Sequence, residues 1–240
     1  MLTSEICQPR RSSSEPAQMS SIYEHKRRKG MSHHTTSHQV HNRVNDVVKR
    51  AFDLCFASLV LILLLSWLVP LIALLIKVDS RGPVFFKQLR TGKGGKPFYC
   101  IKFRSMRINA DSDSRQASRD DNRITKLGAF MRKTSIDELP QFLNVLKGEM
   151  SVVGPRPHML RHTEDYSRVI ANFMERHMVT PGITGWAQVE GHRGETKETA
   201  AMEKRVNADI HYIKNWSFLL DLKIVALTVR QAIRGNENAF

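Results

Sequence analysis

Residues 54–76 read Leu54-Cys55-Phe56-Ala57-Ser58-Leu59-Val60-Leu61-Ile62-Leu63-Leu64-Leu65-Ser66-Trp67-Leu68-Val69-Pro70-Leu71-Ile72-Ala73-Leu74-Leu75-Ile76, 23 consecutive positions without a charged side chain. At a rise of about 1.5 Å per residue such a helix is about 34 Å long, enough to cross the hydrocarbon core of a bilayer. Pro70 complicates that length. Its ring removes one backbone donor and crowds the carbonyl of Ser66, four residues back. The helix is therefore expected to kink or break there, with the Ser66 hydroxyl offered to the freed backbone groups. Lys49 and Arg50 precede the run; Lys77, Arg81, Lys87 and Arg90 follow it. Positive charge prefers the cytoplasmic side, and a crossing helix would strand a basic tail outside. A re-entrant helix, broken at Pro70 and leaving by the face it entered, satisfies both ends and is preferred over a Pro-kinked span.

The rest of the composition narrows the function. The 240 residues carry 37 Lys+Arg against 23 Asp+Glu, a net charge of +14. Anionic lipid and phosphate-bearing substrates or nucleic acid are thus open as partners. The apolar run excludes an ordinary cytosolic enzyme. Cys7, Cys55 and Cys100 are odd in number and widely spaced, which excludes a disulfide scaffold. Residues 1–46, rich in Ser, His, Gln and Arg, read as a disordered tail. The Lys26-Arg27-Arg28-Lys29 run within it suits an anionic membrane surface. His33, His34, His38 and His41 lack a rigid frame for a metal. The apolar run begins too late for a secretory signal.

After Lys77 the chain turns soluble. Val84-Phe85-Phe86 and Phe98-Tyr99-Cys100-Ile101-Lys102-Phe103 read as strands joined by a hairpin at Gly92-Lys93-Gly94-Gly95-Lys96. A polar loop is expected over 109–122. A helix then begins at Ile136-Asp137-Glu138-Leu139 and ends at Lys147-Gly148. Residues 158–178 read as one helix, Thr180-Pro181-Gly182 as a break, and about 216–234 as a last helix. That helix groups Trp216, Leu219, Leu220, Lys223 and Leu227, for a membrane surface or for the core. The expected architecture is α+β: a tail (1–46), a proline-broken re-entrant membrane helix (47–78) and a small cytoplasmic catalytic domain with amphipathic surface helices (79–240).

Asp137 and Glu138 stand where a helix N-terminus favours anions. Such a pair is also ordinary capping. Here Arg132 and Lys133 precede it and Lys102-Phe103-Arg104 lies on a nearby strand. Carboxylates among cations suit phosphoryl chemistry: one attacks phosphorus, one binds Mg²⁺, and cations hold the phosphate oxygens. In Gly154-Pro155-Arg156-Pro157 two prolines fix the backbone around Arg156, either presenting its guanidinium to phosphate or making a rigid turn with a solvated Arg. A glycine-rich segment from Pro181 leads to Gly191-His192-Arg193-Gly194-Glu195-Thr196, where Arg193 and Glu195 could read a sugar or nucleotide.

Taken in order, Lys49-Arg50-Ala51-Phe52-Asp53, Lys102-Phe103-Arg104-Ser105-Met106, Arg132-Lys133-Thr134-Ser135-Ile136-Asp137-Glu138-Leu139-Pro140-Gln141, Gly154-Pro155-Arg156-Pro157 and Pro181-Gly182-Ile183-Thr184-Gly185-Trp186 closely resemble the bacterial sugar transferase family. Its members are monotopic polyprenyl-phosphate phosphoglycosyl transferases, and the resemblance covers about residues 47–240. It implies transfer of a sugar 1-phosphate from a UDP-sugar to undecaprenyl phosphate, with release of UMP, at the cytoplasmic face of the bacterial inner membrane. It implies Asp137 as nucleophile, Glu138 as the Mg²⁺ ligand, and Lys102, Arg132 and Arg156 as phosphate-binding cations. Arg193 is implied near the nucleotide or sugar. The Arg193-Gly194-Glu195-Thr196 ending resembles the glucose 1-phosphate branch, with galactose and N-acetylated sugars as alternatives. Val69 stands where many relatives have Ser before the breaking Pro, and Asn122 where Pro is frequent. The resemblance is to a catalytic core alone.

The partners implied are the donor, the lipid acceptor and membrane lipids, without nucleic acid; a homodimer is left open. Two rivals from other classes remain at this stage: a membrane-tethered nucleic-acid or lipid-binding protein, and a non-catalytic scaffold of a polysaccharide complex. Neither accounts for an Asp-Glu pair set among fixed arginines.

Overall fold

The computed structural model describes residues 43–109, 117–118, 121–194 and 198–234. The tail's basic run and histidine cluster, most of the 109–122 loop, and Glu195 with Thr196 lie outside the described residues. One helical run opens the described chain: α1 (Arg43–Val60), a π-helical turn (Leu61–Leu65) and α2 (Ser66–Asp79). Pro70 sits inside α2, and the residues flanking the π turn keep helical backbone angles. The chain therefore accommodates the proline by widening the turn before it, not by leaving the helix. Ser66 Oγ donates to the Ile62 carbonyl (2.7 Å) and Trp67 Nε1 to the Leu63 carbonyl (3.0 Å). Both side chains serve carbonyls of a turn whose backbone pairing the π geometry disturbs.

The run Val44–Asp79 is long and apolar enough to cross a membrane, and only 22% of its most apolar window is buried. Leu54, Leu59, Ile62, Leu63, Trp67, Leu71, Leu74, Leu75 and Val78 are all exposed. A core helix of a soluble protein would bury such a surface; this one suits lipid.

The foot of α1 is fastened to the domain by the charged residues before the apolar run. Lys49 Nζ donates to Asp221 Oδ2 (2.6 Å) and to the Val153 carbonyl (3.0 Å). Arg50 donates to the carbonyls of Val145 (2.7 Å) and Leu146 (3.0 Å). These are last-turn carbonyls of α4 (Phe142–Lys147), beyond its i→i+4 pairing, and the Val145 carbonyl also accepts the Gly148 amide (3.0 Å). Asp53 Oδ1 accepts from Ser151 Oγ (3.0 Å) and the Val152 amide (2.8 Å). Lys49 and Arg50 thus bind protein, a role that counting them as flanking charges does not reveal. At the other end Arg104 donates to the carbonyls of Ser80 (2.7 Å) and Arg81. Both ends of the helix meet the same domain.

That domain is α+β. Strands β1 (Phe85–Thr91) and β2 (Pro97–Phe103) pair antiparallel, Phe85 opposite Phe103, around the expected glycine turn. A second pair, β3 (Ser151–Val153) and β4 (Gly182–Thr184), is parallel and only three residues long. The remaining helices are α3 (Lys126–Lys133), α5 (Leu160–Val169), α6 (Trp186–Val189), α7 (Thr199–Lys214) and α8 (Phe218–Arg234). One core cluster joins Leu65, Leu68, Ile72 and Ile76 of the apolar helix to Phe103, Met131, Val145, Val153, Tyr212 and Ile224.

Two expectations need correction. The helix expected from Ile136 starts as a 3₁₀ helix (Ile136–Gln141) and becomes α-helical only at Phe142, because Ser135 adopts left-handed angles (φ 57°) and Pro140 lies within it. The helix expected over 158–178 divides into α5 and a 3₁₀ helix (Phe173–Met178), since Ile170 is extended. The break at Thr180-Pro181-Gly182 leads into β4, where a Cβ on Gly182 would lie 2.0 Å from the Gly154 amide nitrogen. The last helix packs on the core through Asp221 and Ile224, both wholly buried, while Leu219, Leu222 and Val229 are exposed.

Candidate active site

Four elements converge on the Asp137–Glu138 pair. Thr125 caps α3, accepting from the Gly128 amide (2.9 Å), and Gly128 lies against Ser105, where a Cβ would come within 1.9 Å of the Ser105 carbonyl oxygen. This close approach sets the last turn of α3, which carries Arg132, beside the 3₁₀ helix. Ser135 has the sole positive φ of a non-glycine residue among the described residues. Such a conformation costs on the order of 1 kcal/mol and is held by its surroundings. It turns the chain so that Asp137 and Glu138 both point inward, 6% and 8% exposed.

The other sides come from β2 and from the turn after β3. Asn144, fully buried in α4, accepts the Ile101 amide (3.0 Å) and donates to the Tyr99 carbonyl (2.7 Å), fixing β2 against the site. Lys102 Nζ then donates to Glu138 Oε1 (2.7 Å). Arg156, between its two prolines, donates Nη1 to Oε2 (3.0 Å) and Nη2 to Oε1 (2.5 Å) of the same carboxylate. It is a fork on Glu138, not a solvated turn residue. Arg193 Nη2 reaches Ser135 Oγ (3.4 Å).

The two adjacent carboxylates are electrostatic opposites. Burial alone would raise the pKa of Glu138, but Arg156 and Lys102 overcome it and hold the carboxyl well below its ordinary range. Asp137 accepts no hydrogen bond on its carboxylate from any described residue. Burial, and next the charge of Glu138, push it up to about 6 against the opposing pull of Lys102, Arg132 and Arg156. Glu138 is a committed counter-ion. Asp137 is an uncommitted carboxylate, ionised at neutral pH and more basic than an ordinary aspartate.

Among the described residues no three His, Cys, Asp or Glu side chains gather as a metal cluster. Mg²⁺ is nonetheless usually held by one or two carboxylates completed by substrate phosphates and water. Among the described residues Glu138 Oε2 accepts only from Arg156 and keeps a free lone pair, so the donor set fits a hard divalent cation of that kind. All four cations expected from the sequence lie around the dyad. Lys102, Arg132 and Arg156 act on Asp137, and Arg193 acts on Glu138.

Sequence reasoning missed the supports behind these groups: Asn144, Arg176, Arg205 and Asp209. Only their burial in the fold distinguishes them from solvated polar residues, although Asn144 in an otherwise apolar helix was a visible signal.

The candidate site is thus two carboxylates under an excess of cations, in a domain fastened to a helix long and apolar enough to cross a membrane. The chain belongs to the bacterial sugar transferase family, whose model it matches over residues 44–235. It is 54% identical over 187 residues to UDP-glucose:undecaprenyl-phosphate glucose-1-phosphate transferase of Escherichia coli (strain K12), covering 78% of this chain and 40% of that protein. It is 47% identical to the protein of the same name from Caulobacter vibrioides, over 81% of this chain and 73% of the relative. It is 44% identical to UDP-N-acetylgalactosamine-undecaprenyl-phosphate N-acetylgalactosaminephosphotransferase of Aeromonas hydrophila, over 78% and 44%. The chain spans about two fifths of the length of the Escherichia coli relative.

Proposed function

We propose that the chain transfers a sugar 1-phosphate, glucose 1-phosphate before others, from a UDP-sugar to undecaprenyl phosphate, releasing UMP. The observation that carries this reading is the division of labour in the dyad: one carboxylate neutralised by two cations, its neighbour buried, free and basic. That is what an oxyanion nucleophile needs in order to meet an anionic diphosphate. Relatives named for UDP-glucose at 54% and 47% identity, against 44% for the one named for N-acetylgalactosamine, favour glucose.

A carboxylate oxygen of Asp137 attacks the β-phosphorus of the donor. The bond from that phosphorus to the bridging oxygen breaks, and UMP leaves with that oxygen. An oxygen of the lipid phosphate then attacks the same phosphorus, the Asp137–phosphorus bond breaks, and the carboxylate is regenerated as the diphosphate-linked sugar lipid forms. Arg132, Arg193 and the guanidinium of Arg156 bind the phosphate oxygens and oppose the repulsion between donor and nucleophile. Lys102 keeps Glu138 in place. Mg²⁺, held by Glu138, would polarise the phosphate oxygens.

In this reading the apolar helix is re-entrant, bending back near its π turn and Pro70 while staying helical. Lys49, Arg50 and Asp53 tie its start, and Arg104 its end, to one domain, which supports entry and exit by a single face. The site then lies near the headgroup plane of the inner membrane, on the cytoplasmic side where UDP-sugars are found. The step would open assembly of an exopolysaccharide or another lipid-linked glycan. The test is UMP release by the purified chain in detergent with Mg²⁺ and undecaprenyl phosphate, offering UDP-glucose, UDP-galactose and UDP-N-acetyl sugars in turn. Release with UDP-glucose is expected. Release only with another donor would reassign the sugar, and none with folded protein would overturn the reaction.

A further inference from the structure

Two residues one turn apart on α7 connect to the main chain around both site arginines, Arg205 directly and Asp209 through Arg176. Arg205, 7% exposed, donates Nε to the His192 carbonyl (3.0 Å) and Nη2 to the Gly194 carbonyl (3.0 Å). Those carbonyls bracket Arg193. The segment turns through left-handed angles at Gly191 (φ 89°) and Gly194 (φ 92°), and the His192 amide is held by the Ala187 carbonyl (2.9 Å). Arg205 thus closes this turn at both of its ends. Four residues on, Asp209, 2% exposed, pairs with Arg176 (2.6 Å), itself buried. Arg176 Nη2 donates to the main-chain carbonyl of Arg156 (2.9 Å). Residues at i and i+4 share one face of a helix, so one face of α7 sets the backbone positions of Arg193 and Arg156 together.

We propose that Arg205, and Asp209 through Arg176, are positioning residues for donor binding: α7 fixes the spacing between Arg193 and Arg156 across which the UDP-sugar is held. This rests on the donor reading above. A guanidinium fork spans two carbonyls at once, which the single ammonium of Lys cannot do in the same geometry. The link to each arginine is separate, so each half of the proposal has its own consequence.

The experiment is calorimetric binding of UDP-glucose to the full chain in detergent, carrying Asp137→Asn to prevent turnover, with the melting temperature of each variant recorded. Arg205→Lys should weaken binding about tenfold, yet cost less than about twofold once Arg193 is already Ala, because coupled residues are not additive. Asp209→Asn, which keeps an oxygen for Arg176, should weaken binding about threefold, and not further when Arg156 is already Lys. A general loss of packing would lower binding equally in both backgrounds. If Arg205→Lys does not fold, Arg205→Gln, able to serve one carbonyl, takes its place, and the Asp209 cycle stands by itself. Full additivity in the cycles, or no loss from either substitution while Arg193→Ala weakens binding, overturns the positioning role alone. Absence of UDP-glucose binding by the chain with intact arginines overturns the donor reading, and the proposal with it.

Discussion

Asp137 and Glu138 are consecutive, buried to 6% and 8% exposure, and yet share no hydrogen-bond partner among the described residues. Glu138 takes hydrogen bonds from both Lys102 and Arg156, and Asp137 takes none from the described residues. The 3₁₀ turn that begins after Ser135 makes this separation. It sets both side chains inward while only the second meets β2 and the Pro155-Arg156-Pro157 turn.

Removing the charge of Asp137 should therefore stabilise the protein while abolishing transfer. Its pKa rises from 3.8 to about 6 on folding, so the folded state holds the proton more tightly, and the ionised carboxylate costs stability above that range. At 1.36 kcal/mol per unit, Asp137→Asn should gain on the order of 2–3 kcal/mol at pH 7. The advantage over wild type should shrink as pH falls from about 6 toward 3.8. Thermal unfolding of both proteins across that window checks it.

Glu138→Gln should do the opposite. The folded protein holds Glu138 well below 4.5 through Arg156 and Lys102, so its contribution is present above the unfolded value and is lost as pH falls through the folded one. Neutralising it leaves Lys102 and Arg156 partly buried without their counter-charge, a change that typically costs about 3 kcal/mol. A lower melting temperature at pH 7 than wild type is expected, and an unchanged one would show that the cations find water instead.

Gly182→Ala should be among the more damaging small substitutions. The added Cβ would sit 2.0 Å from the Gly154 nitrogen and 2.4 Å from the Thr184 carbonyl oxygen, both main-chain atoms that cannot swing aside. A loss of about 2 kcal/mol or more is expected from such overpacking, together with a fall in activity, since β3 leads directly to Arg156. Chemical denaturation with an activity assay separates the two effects.

Leu63→Arg places a charge on a side chain that is 65% exposed in the apolar helix. Insertion scales put the cost near 3 kcal/mol. The variant should shift from the membrane fraction toward the soluble or aggregated one, and full membrane retention would mean that α8 and the other exposed apolar surfaces suffice as anchors.

The β1–β2 hairpin, the stop at Gly148, the last helix and the whole ring of Lys102, Arg132, Arg156 and Arg193 around the dyad were legible because each has a local signal. Glycines mark the turns, alternation or helical spacing marks the elements, and charge marks the site. The β3–β4 pair was not legible: three residues per strand are too few for a period, and their pairing depends on a glycine–glycine approach across 28 positions. Helix α7 escaped for another reason. Its buried face carries Arg205 and Asp209, so polarity, the usual mark of a solvated face, points the wrong way. Lys49 and Arg50 look like membrane-flanking charges in the sequence, and only the fold shows that Asp221 and the end of α4 claim them.

The central claim is that Asp137 carries the phosphosugar between donor and lipid. It is tested most directly by incubating the purified chain with UDP-glucose labelled at the β-phosphate, without lipid acceptor, and following label on the protein after denaturation. The account predicts label on wild type, mapped to the peptide containing Asp137, absent from Asp137→Asn and discharged by undecaprenyl phosphate. UMP release and lipid product with no label on wild type at any time, or equal label on Asp137→Asn, would contradict it.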